Sequence, residues 1–265
     1  MSILERFDLR GQVAVVTGSG QGIGRGIAWA LADAGADVVL NARRPEDLAE
    51  TAQGVTSRGC RALVVQGDIR DYSTTVAERT MEAYGRLDIW VNNVGGSDEK
   101  DVHSLVDTPD DTFRSQLELN LTSAFQGCKA AASCMANGGV IINITSGAGT
   151  RGSPMTGPYA AAKAGLINLT QTLALELAER GIRVNAVSPG PVITEAYRDV
   201  LGIEDQLQAL ARTIPLGRTG TPDDIAAMVL LLASEAGAWI TGEHHLVAGG
   251  RTQRSYQYQS KEHQE

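Results

Sequence analysis

Short runs dense in valine and isoleucine alternate along this chain with longer stretches whose apolar residues recur every three or four positions. Gln12 to Thr17, Asp37 to Asn41, Ala62 to Gln66, Leu87 to Asn92, Val140 to Thr145, Ile182 to Val187 and Glu243 to Val247 read as seven strands. The first is apolar at consecutive positions, the mark of a strand covered on both faces. Between the strands, residues 22–34 place Ile23, Ile27, Ala30, Leu31 and Ala34 on one helical stripe. Further helices are predicted over 46–58 behind Pro45, and over 73–84, 110–135 and 158–180. Strands joined by helices of this length require crossover connections, hence a parallel sheet with right-handed crossovers. The predicted fold class is α/β, a doubly wound parallel sheet of about seven strands flanked by helices, with ligands expected at the carboxyl ends of the strands. No linker or shift of composition breaks residues 1–250, so they are expected to form one domain. Within it, residues 193–216 mix apolar and charged positions as a lid does. The polar tail 251–265, with Tyr256 and Tyr258, reads either as frayed or as an arm on a neighbouring subunit.

Composition narrows the function. With 43% hydrophobic and 20% charged residues in 265, the chain has material for a large core. A net charge of −8 argues against electrostatic binding of nucleic acid or anionic membrane. No apolar run reaches membrane-spanning length, and Met1 to Arg6 lacks the apolar core of a signal peptide. Cys60, Cys128 and Cys134 show no metal-ligand spacing, and neither do His103, His244 and His245, so no metal site is predicted. An odd cysteine count suits a reducing compartment, and a cytoplasmic protein is expected.

Candidate chemistry lies at two places. Thr17-Gly18-Ser19-Gln21-Gly22-Ile23-Gly24, with Gly20 inside it, joins the first strand to its helix. Glycines there let a pyrophosphate approach the main chain, and the helix N-terminus offers free N–H groups. No Gly-Lys-Ser/Thr follows, so it is not a P-loop, and its spacing is G-x-x-x-G-x-G rather than G-x-G-x-x-G. A dinucleotide site is the reading. At the end of the second strand, Asn41-Ala42-Arg43-Arg44 offers two guanidinium groups where an acid would accept ribose hydroxyls. That favours NADP(H), with NAD(H) possible and solvated surface arginines as the alternative.

The second place is Tyr159 with Lys163, four apart on one helix face, and Ser146 thirteen residues before the tyrosine at the end of a strand. A neighbouring ammonium favours phenolate and is expected to pull the tyrosine down from its usual value near ~10. Hydroxyl, phenol and cation together suit moving a proton on or off an alcohol or carbonyl.

With these motifs in order, and with Asn92-Asn93-Val94-Gly95, Asn120 and Pro189-Gly190-Pro191-Val192-Ile193-Thr194, residues 9–250 resemble a short-chain dehydrogenase/reductase of the single-domain, Rossmann-like type. In substrate class they resemble 3-oxoacyl-carrier-protein reductases and bacterial hydroxysteroid dehydrogenases. The resemblance implies Tyr159 as general acid and base, Lys163 on the nicotinamide ribose and Ser146 polarising the carbonyl. It implies that Asn120 holds a water, although a backbone bond within its helix is an open reading. Asp68 and Ile69 would flank the adenine, with a plain strand-end turn as the alternative for Asp68. Asn93 would lie along the adenosine, and Val192 and Thr194 would meet the carboxamide. Gly18, Ser19, Gln21, Gly22, Ile23, Gly24 and Arg43 complete the expected cofactor set.

Three positions depart from the family pattern: Val94 for alanine, Gln21 for a basic residue, and Ala248 for an aspartate. The expected activity is interconversion of a secondary alcohol and a ketone on a hydrophobic small molecule. Reduction of a 3-oxoacyl thioester and a catalytically silent dinucleotide binder are the alternatives. The substrate pocket is expected between 96–106, 147–157 and the lid, lined by Gly147, Ala148, Met155, Ile193, Ala196, Tyr197, Leu201 and Ile203, with Arg151 and Arg198 as possible anion anchors. Alanine-rich helices 110–135 and 158–180 suit close packing between subunits, and the family resemblance implies a homotetramer.

Overall fold

The computed structural model describes residues 2–135, 138–194 and 204–251. Seven parallel strands form one sheet: β1 (Val13–Thr17), β2 (Asp37–Ala42), β3 (Ala62–Gln66), β4 (Ile89–Asn92), β5 (Gly139–Ile144), β6 (Ile182–Pro189) and β7 (His244–Val247). Their order is β3-β2-β1-β4-β5-β6-β7. The chain therefore steps outward in one direction to β3, returns to the centre, and steps outward the other way. That reversal leaves a crevice beyond the carboxyl ends of β1 and β4, where neither connection covers the sheet. Val16 pairs with Val91 across this seam, so the loops after Thr17 and Asn92 emerge side by side.

Both faces of the sheet are buried, and alternate strand residues serve opposite faces. Ala14, Val16, Val38, Leu40, Val91 and Ile142 pack on one side with α1 (Gly22–Asp33) and α8 (Pro222–Ala233), through Ile27, Leu31, Ile225 and Val229. Val13, Val15, Val39, Trp90, Ile141 and Val184 pack on the other with α3 (Ile69–Tyr84), α5 (Ser123–Cys134) and α6 (Gly157–Leu177). The remaining helices are α2 (Pro45–Ser57), α4 (Asp110–Leu117) and α7 (Glu204–Arg212).

A buried polar chain runs through the second face. Trp90 Nε1 donates to Asn92 Oδ1 at 2.7 Å, Asn92 Nδ2 to Asn143 Oδ1 at 2.9 Å, and Asn143 Nδ2 to Thr170 Oγ1 at 2.9 Å. The chain runs from β4 through β5 to α6. Away from water an unmade bond costs the full desolvation of its group, so this chain fixes where α6 lies against the strands.

Three sequence expectations need correction. The helix expected at 73 begins at Ile69, because the Asp68 carboxylate accepts from Arg70 N and caps it. The helix expected over 110–135 is two helices joined by a π-helical turn, Glu118–Thr122. Helix α8 was passed over, although Thr221 and Asp224 form a reciprocal capping box with Pro222 behind the cap. Within the expected lid, α7 and the turn to Leu216 are described; Ala196, Tyr197, Arg198, Leu201 and Ile203 lie outside the described residues, as does the tail from residue 252.

Candidate active site

The glycine turn after β1 is held from below. Asn93 Nδ2 donates to the carbonyls of Thr17 and Gly18 at 2.9 and 3.2 Å, and Asn93 N donates to Thr17 Oγ1 at 2.9 Å. The turn needs its glycines for space: a Cβ on Gly24 would stand 2.2 Å from the Gly18 carbonyl and 2.6 Å from Asn93 Nδ2. Gly18 itself has φ +62°. A glycine-rich turn at a helix N-terminus fits the pyrophosphate of a dinucleotide. Thr194 closes over Gly22, whose Cβ would lie 2.9 Å from the threonine methyl. Val192 is buried and bridges to Gly220.

Not every expected cofactor residue faces the turn. Ser19 is fully buried, with its hydroxyl donating to the Asn41 carbonyl at 3.4 Å. Ile69 is 3% exposed and packs in the core with Val39 and Val65. Ile23 is half-buried against the α1 face. Asp68 is engaged by Arg70 at 3.0 and 2.7 Å, and that hydrogen-bonded guanidinium holds the carboxyl below its usual range. Gln21 accepts from Arg44 Nη2 at 2.9 Å, and Arg44 also pairs with Asp47. Arg43 is exposed, and its guanidinium has no hydrogen-bond or ion-pair partner among the described residues.

Beyond β4 and β5 the proton-transfer candidates come together. Ser146 follows β5 and caps a short 3₁₀ turn, its hydroxyl accepting from Ala148 N at 3.2 Å. Pro158 starts α6, which places Tyr159 in its first turn and Lys163 one turn on. The Ser146 hydroxyl lies near the Tyr159 phenol, close enough to draw its pKa down. Lys163 is 3% exposed, donates to the Ile144 carbonyl at 3.0 Å, and lies 5.8 Å from the tyrosine ring centre.

Asn120 occupies the π-helical turn, wholly buried. Its Nδ2 donates to the Gly96 carbonyl at 2.9 Å and to Gln116 Oε1 at 3.0 Å, while Gly96 N donates to its Oδ1 at 2.8 Å. Asn120 thus clamps the loop after β4 in both directions. Gly95, next to that clamp, would with a Cβ approach Asn120 Oδ1 to 2.7 Å and Lys163 Nζ to 2.8 Å. Gln116, whose Nε2 bonds Asp101 at 2.9 Å, went unnoticed in the sequence; its signal is the one-turn spacing to Asn120.

The expected direction of the tyrosine shift is corrected. Burial is the largest influence and pushes the Tyr159 phenol up, with the nearby Ser146 hydroxyl pulling the other way. Burial also pushes Lys163 down to about 8, since the ammonium is the disfavoured form. A phenol held protonated at neutrality is poised to give a proton rather than to take one.

Ser146 opens onto a cleft of about 210 Å³, walled by the 3₁₀ turn, Pro189 to Pro191, and Leu246, Ala248 and Arg251. The expected wall at 96–106 and Met155 are not part of it. Among the described residues no group of histidine, cysteine or acidic side chains is arranged to hold a metal, and no helix is long and apolar enough to cross a membrane.

Residues 18–252 match the family described as enoyl-(acyl carrier protein) reductase, a branch of the short-chain dehydrogenases/reductases. The chain belongs to this oxidoreductase family. It is 37% identical over 256 residues to 3beta-hydroxysteroid dehydrogenase 1 of Eggerthella lenta, covering 92% of this chain and 95% of that one. It is 36% identical to the 3-oxoacyl-[acyl-carrier-protein] reductase of Synechocystis, covering 91% and 97%. A solved 7 alpha-hydroxysteroid dehydrogenase, complexed with NADH and 7-oxo glycochenodeoxycholic acid, superimposes with a TM-score of 0.88 at 33% identity, covering 96% of this chain and 99% of that one. Members of the family bind a nicotinamide dinucleotide, and the glycine turn fits that group.

Because the neutral amine is favoured in the folded chain, Lys163 should lose its proton well below the ordinary lysine range. Its site-resolved ¹³Cε shift is expected to titrate with a midpoint near about 8 in the free protein. A midpoint at the value of an exposed lysine, about 10.4, contradicts the burial described for it.

Proposed function

We propose that this chain interconverts a secondary alcohol and a ketone on a hydrophobic small molecule, using NADP(H) in preference to NAD(H). The observation that carries the reading is the meeting of Ser146, Tyr159 and Lys163, together with a glycine-rich turn at the N-terminus of α1. A bound nicotinamide supplies or accepts the hydride. The protein's part is proton transfer and positioning.

In reduction, Ser146 donates a hydrogen bond to the carbonyl oxygen, and the buried Tyr159 phenol gives the proton that the oxygen takes up. Lys163, still mostly an ammonium at neutral pH, is anchored on the Ile144 carbonyl, from which it stabilises the phenolate left behind. Asn120 acts through the loop it clamps, which holds Gly95 close against Lys163. Gly18, Gln21, Gly22, Gly24, Asn93, Val192 and Thr194 are assigned to the nucleotide. Arg43, whose guanidinium makes no hydrogen bond or ion pair among the described residues, is assigned to a 2′-phosphate. Ser19 and Ile69 support this site from the core rather than by contact.

The three free cysteines support a cytoplasmic setting, with burial pushing the Cys128 thiol up to about 12 and leaving it inert. Leu175 and Phe125, 81% and 40% exposed on α6 and α5, support a homotetramer built on these helices. Light scattering at micromolar concentration is expected to give a four-chain mass; a single-chain mass rejects the assembly.

Tyr159→Phe is expected to lower turnover of a ketone panel by about 10²–10⁴-fold, with nucleotide binding retained. Arg43→Ala is expected to raise the Michaelis constant for NADPH while leaving that for NADH unchanged. Full activity in the tyrosine variant overturns the proton-transfer assignment, and a wild-type preference for NADH overturns the cofactor assignment.

A further inference from the structure

The cleft that Ser146 opens onto carries two arginines and no carboxylate: Arg151 lies on one wall and Arg251 on another. Neither guanidinium has a hydrogen-bond or ion-pair partner among the described residues. Many of the chain's other arginines are taken up by acids, on a molecule whose net charge is −8. Arg44 pairs with Asp47, Arg61 with Asp37, Arg70 with Asp68 and Arg218 with Asp224. Two arginines lining one concavity, without an ion pair among the described residues, raise the positive potential there on a molecule whose net charge is negative. Ala248 lies on the wall of the same cleft, whose lining among the described residues includes no acid.

We propose that the substrate carries an oxyanion, a carboxylate or a phosphate, held by Arg151 and Arg251 while its carbonyl or alcohol meets Ser146. Guanidinium matches both oxyanions with paired N–H donors, and the bond is charge-assisted on each side. Ala148, Pro189, Pro191 and Leu246 give the cleft an apolar stretch for the body of the molecule. The substrate class is therefore an amphipathic hydroxy or oxo acid, rather than a neutral ketone. Arg251 lies at the edge of the polar tail, a segment that reads from sequence as peripheral, and the structure brings it to the cleft. This inference rests on the oxidoreductase reading and adds the charge of the substrate to it.

The test compares 4-acetylbenzoate with its methyl ester, and 4-acetylphenyl phosphate with 4-methoxyacetophenone, as substrates of the full-length protein. The acids are expected to have Michaelis constants at least tenfold lower than their neutral partners; the lower of the two acids identifies the oxyanion. The double variant Arg151→Ala, Arg251→Ala should abolish this difference by raising the constants of the acids alone, and Arg151→Lys with Arg251→Lys should restore part of it. Ala248→Asp, which adds an acid without removing an arginine, should abolish it too. Neutral ketones turned over as well as the acids by the wild type, or a preference that survives the double alanine variant, overturns the proposal while leaving the oxidoreductase reading intact. Absence of turnover on every ketone with both nucleotides removes that reading instead. Calorimetric titration with 4-acetylbenzoate then still decides the oxyanion site: weaker binding by the double alanine variant supports it, and equal binding overturns it.

Discussion

The structure around the proposed site depends on one close approach. At Gly95 the loop leaving β4 passes between Asn120 and Lys163 so tightly that a single methyl group would come within 2.7 and 2.8 Å of their polar ends. This contact lets a strand end, a π-helical turn and a long helix converge without a gap. Asn120 fixes the loop by bonding both backbone groups of Gly96, and the same loop limits where the ammonium of Lys163 can go. An ordinary α-helix continuing through 118–122 would turn Asn120 to a different bearing; the π turn is a local irregularity of the kind found at functional sites.

Burial sets the electrostatics of this convergence. The parallel sheet is covered on both faces, and α6 carries Lys163 into the buried space beside β5. Desolvation disfavours whichever form is charged, and it acts in opposite directions on the phenol and the amine. The free protein thus holds Tyr159 as a neutral acid and makes Lys163 a more easily neutralised base than a surface lysine. The buried chain Trp90–Asn92–Asn143–Thr170 positions the helix bearing both groups.

Much of the fold was legible from sequence because a parallel sheet writes its strands as dense apolar runs, and all seven lie within a few residues of the expected bounds. Helix ends were less legible, since Asp68 and Thr221 cap through local hydrogen bonds that hydrophobic periodicity does not carry. The π turn at Asn120 is hidden, because one extra residue in a single turn barely alters the helical period on either side. At the site, Tyr159, Lys163 and Ser146 were found by spacing. The direction of the phenol shift was not, since burial is a property of the whole packing. Arg251 was out of reach for the same reason: its place in the cleft follows from β7 lying beside β6, which a polar tail does not announce.

Gly95→Ala tests this account most directly. The added methyl meets the tips of two side chains rather than main chain. Moving Asn120 and Lys163 relieves that contact and disturbs the proposed site, while the φ of +157° at this position adds backbone strain local to the loop. Measured with the ketone turned over best by the wild type, kcat/KM is expected to fall by about 10²-fold, with the far-ultraviolet circular dichroism unchanged and the thermal midpoint lowered. Wild-type turnover in that variant would contradict the claim that the close approach at Gly95 positions the groups that do the chemistry.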